Sequence, residues 1–344
     1  MKKTCLRFIY RLLALLLIIF STMLTSCGGD GDDTTVQASA VVLNAENFPD
    51  DNFRAQIVKI TGVAEGGTIT KEIIKNTKLI RLSNIQYSDI VRSLKGIEHF
   101  TELSELYCGG HLLTSLDISK NSKLTSLYCM QNQLTSLDVS NNKLLEALIC
   151  NNNSLTSLDI SKNKNLAILA CNDNELTKLD VGKNGQLFDL RCDNNRLTAL
   201  DVSTNKKLTE LNCKNNSLTS LDISENTELK YLLCSNNELT TLDISKNILL
   251  RDLRCDGNKL STISVSTNNR LAYLYIYSNQ IKGTQMDVLI NSLSKVTTGF
   301  LCVFCFTDSN EGNVCRKLQV ATAKAKGWDV VAWDGQKYVQ YEGY

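Results

Sequence analysis

Eight cysteines, Cys108, Cys129, Cys150, Cys171, Cys192, Cys213, Cys234 and Cys255, recur every 21 residues without a slip. Thiols in such number could form disulfides, hold a metal or act as nucleophiles. The spacing argues against each. Metal ligands cluster, whereas these are strung along the chain. On in-register strands about 4.8 Å apart the side chains point the same way, so a disulfide dihedral near 90° would be strained. They read as small buried hydrophobes. Cys302 and Cys305 form a C-x-x-C, but an odd offset in a strand points them to opposite faces, which speaks against zinc or redox work. A disulfide from Cys315 to one of them stays open. With only His99 and His111 in the chain, a nucleophile–histidine dyad has few places to form. Asp50-Asp51 lacks the ligand spacing of a calcium loop, and no phosphate loop, nucleotide fingerprint or metalloprotease helix is present. The residues predict no enzyme, no cofactor and no metal.

A fixed period of this length implies stacked repeats. Around Cys129 the chain reads Leu124-x-x-Leu127-x-Cys129-x-x-Asn132-x-Leu134, and Ile276 continues the cysteine series. This resembles the leucine-rich repeat signature with Cys at its third apolar site, over about residues 103–280. The second half of each unit, Leu134-x-x-Leu137-x-Val139-x-x-Asn142, repeats the grammar, so the 21-residue unit is a nested pair of roughly 10 and 11. That form resembles the short repeat class of Bacteroides-type surface proteins. Alternation puts two inward residues on each extended segment. The expected fold is a mostly β leucine-rich repeat solenoid with parallel ladders on two sides and α/β caps at both ends.

Two asparagine columns, Asn132 to Asn279 and Asn121 to Asn268, share the period. Turned inward at tight corners, their amides can satisfy backbone groups of stacked coils. His111 occupies a position of the first column. Asparagine corners also account for the single proline, since proline would remove an N–H needed by the next coil.

The two expected strands differ in their outward residues. The second carries the constant column Asp117, Asp138, Asp159, Asp180, Asp201, Asp222 and Asp243, costly unless each carboxylate is hydrogen-bonded. Divalent-cation binding along it is the functional alternative, although an open ladder offers no cleft for hydrolysis by paired carboxylates. The first strand keeps its inward residues and varies its outward ones. Tyr107, Tyr128 and Met130 lie at one end, Arg191 in a charged belt, then Tyr231, Arg254, Tyr273, Tyr275 and Tyr277. Tyr and Arg are enriched at protein interfaces, and the leucine-rich resemblance implies partner contact on this face. The predicted partner is an extracellular protein, with a glycan stacked on tyrosines or a passive envelope role as alternatives.

Residues 41–102 read as an N-terminal cap, with helix over Arg54–Ile60 near Pro49, a short helix at Thr70–Asn76 and a strand at Leu79–Leu82. Its last part, Ser93 to Leu103, looks like an internalin-type entry repeat. Residues 281–344 read as the C-terminal cap, with a helix over Val314–Lys326 stopped by Gly327 and a tight turn at Asp334-Gly335.

The chain has 344 residues, 43% hydrophobic and 6% aromatic, with formal charge +1. Residues 1–26 carry a basic start and the apolar run Leu12–Phe20, too short to span a membrane and fitting a secretory signal. Leu24-Thr25-Ser26-Cys27 resembles a bacterial lipobox, which implies lipidation at Cys27 and a membrane anchor. Cleavage there removes four cations (Lys2, Lys3, Arg7, Arg11) and no anion, turning +1 into −3. That balance disfavours nucleic acid. Residues 27–40 form a small, acidic tether like those following the lipid cysteine in surface-exported lipoproteins, implying an outward-facing outer-membrane location.

Overall fold

The computed structural model describes residues 39–82 and 89–344. The signal segment, the lipidation site Cys27 and the tether to residue 38 lie outside the described residues.

The N-terminal part opens with β1 (Val41–Val42), paired antiparallel with β2 (Thr68–Ile69). Between them runs α1 (Asp51–Thr61), three residues earlier at its start than the expected helix, because Asp50 caps it by accepting the Phe53 N–H. The lone Pro49 precedes that cap. Thr70 likewise caps α2 (Lys71–Asn76), and β3 (Leu79–Arg81) follows. Phe48, Phe53 and Phe100 fill this end without exposure. Gly96, at φ 108°, admits no side chain, since a Cβ would sit 2.2 Å from the Phe48 ring.

Nine three-residue strands then recur at the period of the cysteines. They are β4 (Glu105–Tyr107), β5 (Ser126–Tyr128), β6 (Ala147–Ile149), β7 (Ile168–Ala170), β8 (Asp189–Arg191), β9 (Glu210–Asn212), β10 (Tyr231–Leu233), β11 (Asp252–Arg254) and β12 (Tyr273–Tyr275). After them come α3 (Thr284–Ser292), β13 (Gly299–Cys305), α4 (Lys317–Ala325), β14 (Trp328–Trp333) and β15 (Tyr338–Gln340). Strands β3 to β15 form one sheet in sequence order, parallel throughout except for the β14–β15 hairpin. The expected C-terminal helix starts later, after a box in which Gln319 accepts the Arg316 N–H, and it ends before Gly327 as expected. Asp334 closes the hairpin turn by accepting N–H from Gln336 and Lys337.

The central leucine of each repeat strand is fully buried, as is the cysteine two residues on, replaced after β12 by Ile276. All eight ladder cysteines are free thiols, as are Cys302, Cys305 and Cys315. Burial raises the ladder thiols, with Cys150 and Cys213 pushed up to about 12. The disulfide left open between Cys315 and Cys302 or Cys305 is not formed. The opposite-face reading of Cys302 and Cys305 also needs correcting. A bulge between Cys302 and Phe304 shifts the register, so Cys302 faces Val331 and Cys305 faces Trp333. Two residues apart on β14, those partners share a face.

The leucine-rich repeat solenoid is mostly β as expected, but only one of its two long sides is a ladder of strands. On the other side Leu137 and Val139 point inward and are buried, yet the backbone is held locally. The Asp138 Oδ1 accepts the Ser140 N–H at 2.8 Å, and the same Asx turn recurs in each coil from Asp117 to Asp243. Backbone bonds between neighbouring coils, such as Ser154 N–H to Leu134 C=O, are made at the corner. An aspartate that takes the amide two residues ahead removes the donor a second ladder would use.

Both asparagine columns are buried or nearly so and bridge coils. In the first, Asn195 donates to the Cys171 and Cys192 carbonyls and accepts the Leu176 N–H. In the second, Asn184 donates to the Ile160 and Asn163 carbonyls, while its Oδ1 is buried without a partner.

Candidate partner-binding face

The outward side of the long sheet carries the residues that vary from coil to coil. Parallel in-register pairing puts position-equivalent side chains of adjacent coils side by side, so like neighbours stack. At the N-terminal end the Tyr107 and Tyr128 rings are face to face, with centroids 4.3 Å apart and planes 8° apart. The Arg81 guanidinium lies 4.0 Å over Tyr107, and Glu105 accepts the Tyr107 hydroxyl. Met130 lies across Gly109, where a Cβ would come 2.6 Å from its sulfur. Ile149 and Ala170 extend this apolar ridge.

The middle is charged and internally paired. Arg191 makes a bidentate contact with Asp189 at 3.0 and 2.9 Å and reaches Glu210 at 3.4 Å. Burial holds the Asp189 carboxyl above its ordinary range despite Arg191. Burial likewise pushes Asp193 up to about 6, opposed by Lys214 and helped by Asp173.

The C-terminal end is a broad aromatic platform. Arg254, gripped by Asp252 at 3.1 and 3.0 Å, lies 4.6 Å over Tyr275. Phe300 touches Tyr273 and Tyr275 and meets Tyr338 edge-on at 5.2 Å, with Trp333 beyond. Tyr273 is 50% and Tyr338 42% exposed.

The sequence-nominated residues therefore divide. Tyr273 is presented outward and Tyr231 is half-buried. Tyr128 in the N-terminal ridge and Tyr275 beneath the C-terminal platform are floor rather than surface, each 9% exposed. Arg191 and Arg254 are committed to carboxylates. Tyr277 lies past the strand, packed like Phe300 and Trp333 against the Tyr275, Cys302 and Val331 cluster and hydrogen-bonded to the buried Asp256, which also accepts the Ser235 hydroxyl. The structure adds Arg81, Phe300, Trp333 and Tyr338. Phe300-Leu301-Cys302 keeps the strand grammar of Tyr273-Leu274-Tyr275, a signal the broken period hid.

The opposite side holds the aspartate column. The Ser140 amide and hydroxyl hold Asp138 below the usual carboxylate range, and equivalent serines do so for Asp117, Asp159, Asp201, Asp222 and Asp243. A shallow groove of about 280 Å³ there is lined by Asp222, Ser224, Thr241, Asp243 and Lys246. Among the described residues no three His, Cys, Asp or Glu are grouped to hold a metal. Among them, too, no helix is long and apolar enough to cross a membrane.

No protein-family model matches the chain, and no curated protein matches it in sequence. The functional domain of InlJ from Listeria monocytogenes, whose structure includes a cysteine ladder, matches at 35% identity with TM-score 0.71. The match covers 78% of this chain, which spans only 58% of that one. The internalin InlF of the same species matches with TM-score 0.53 at 20% identity, over 88% of this chain and all of that one. The leucine-rich repeat ectodomain of the Arabidopsis thaliana receptor kinase GASSHO1/SCHENGEN3 matches with TM-score 0.57 at 22% identity, over 70% and 32%. The last two are likenesses of fold alone.

Proposed function

We propose that this leucine-rich repeat solenoid is a non-catalytic surface module that engages a protein partner through its variable strand face. One contrast carries the reading: inward positions repeat as Leu and Cys in eight coils and as Leu and Ile276 in the ninth, while the outward face changes and ends in the partly exposed Tyr273–Phe300–Tyr338 platform. Aromatic area backed by a rigid floor is the usual source of interface energy. The plant ectodomain of like fold is solved in complex with Casparian strip integrity factor 2. The nested repeat and the acidic stretch after Cys27 support a Bacteroides-type surface lipoprotein, anchored to the outer membrane by lipid on Cys27, with residues 103–280 as the binding solenoid.

The test presents the mature protein to a panel of purified extracellular proteins and to a glycan array. Tyr273→Ala with Tyr338→Ala should abolish binding to a panel protein, while Asp159→Asn on the opposite side should not. Binding unaffected by the aromatic pair, or confined to glycans, would overturn the assignment.

A further inference from the structure

The first asparagine column begins with a residue of another type. His111 stands one period before Asn132. Asn132 accepts the Leu113 N–H through its Oδ1, and His111 accepts the Val91 N–H through Nδ1 at 3.2 Å. An accepting Nδ1 requires the neutral ring with its proton on Nε2, and that Nε2 is buried without a hydrogen bond.

Val91 belongs to a ribbon, residues 90–93, held almost wholly by side chains from two directions. From the cap side Asn52 of α1 donates to the Ile90 carbonyl at 2.8 Å. Asp50 Oδ2 accepts the Arg92 and Ser93 amides at 2.7 and 3.0 Å, while Oδ1 of the same carboxylate caps α1. From the solenoid side come His111 and one backbone bond, Leu112 N–H to the Val91 carbonyl. The ribbon thus clasps the N-terminal cap to the first coil, and that cap includes β3, whose Arg81 covers Tyr107.

We propose that His111 is an acid-sensitive latch: a proton on Nδ1 turns the acceptor into a donor against the Val91 N–H and releases the clasp. Burial favours the neutral ring and lowers its proton affinity, while the charge of Asp50 across the ribbon opposes burial. Arg92, on the ribbon itself, is exposed, and the next rung, Asn132, is neutral. Because the folded state binds the proton less readily than the unfolded chain, His111 stabilises fully above the ordinary value of 6.5. That contribution is lost as pH falls from there through the folded value.

Amide hydrogen exchange of the mature chain at pH 7.5 and 5.0, corrected for intrinsic rates, tests the latch. Val91, Arg92 and Ser93 should lose about tenfold in protection at the lower pH, the equivalent of one pKa unit of coupling. Cys192, bonded to Asn212 in mid-sheet, should not. His111→Asn continues the column with its own residue type and should remove the difference. Equal protection at both pH values, or the same acid loss in His111→Asn, overturns the proposal. Nitrogen NMR of the wild-type imidazole gives a check that needs no variant: the Nε2–H form titrating below 6.5 supports the latch, and an Nδ1–H form or a midpoint at or above that value refutes it.

Discussion

The Tyr107 ring lies parallel to that of Tyr128 with centroids 4.3 Å apart, close to the strand spacing, so the sheet itself sets the stack. A double-mutant cycle of Tyr107→Leu and Tyr128→Leu should therefore show a coupling of about 0.5–1.5 kcal/mol. Urea unfolding of the four proteins measures it; a coupling indistinguishable from zero would mean the rings are merely adjacent.

The asparagine columns should differ in cost. Asn195→Ala strands the Leu176 amide, while the Cys171 and Cys192 carbonyls each keep a donor, from Asn174 and Asn216. Asn184→Ala strands nothing, since the Ile160 and Asn163 carbonyls each keep a backbone N–H, and it deletes an oxygen that is itself buried and unpaired. Since each buried orphan costs about 1–3 kcal/mol, Asn195→Ala should destabilise by about that much more. Equal or reversed losses in chemical denaturation would contradict the bonding pattern.

Asp193 should make stability depend on pH. With its carboxyl raised to about 6 from the ordinary 3.8, it is ionised at a cost above pH 6, and the cost disappears as pH falls toward 4. Asp193→Asn should gain about 1–3 kcal/mol at pH 7.5 and converge with wild type near pH 4. A gain that persists or grows in acid would place the raised carboxyl elsewhere.

The eight ladder cysteines, with Cys302 and Cys315, should resist alkylation while the protein is folded. Raised, buried thiols supply almost no thiolate at neutral pH, so iodoacetamide should leave them unmodified natively and label all of them in denaturant. Mass spectrometry reads both states. Rapid native labelling at Cys129 or Cys213 would show that the ladder opens.

Much of this architecture is legible in the sequence because it repeats. Leu127, Cys129 and Asn132 recur in enough coils to fix the strand, the core and the corner together. The second ladder was not excluded by that pattern, because Leu137 and Val139 alternate as strand residues do. Asp138 decides otherwise through a short-range bond that periodicity does not encode. The proposed binding face is legible only where the period holds. Phe300 and Tyr338 reach Tyr275 through the cap, at spacings no repeat comparison aligns, and the bulge that reverses Cys305 leaves no mark in composition. The period marks His111 as a corner residue, and the structure adds the Val91 N–H that it accepts.

The central claim is that the variable strand face, and not the aspartate side, meets a polypeptide. Its most direct measurement is photocrosslinking from single benzoylphenylalanine substitutions in the mature protein, at Tyr273 on the platform and at the exposed Thr156 on the opposite side. Adducts with an extracellular polypeptide from position 273 and none from position 156 are the expected result. Adducts from position 156 alone, or equally from both, would contradict the account.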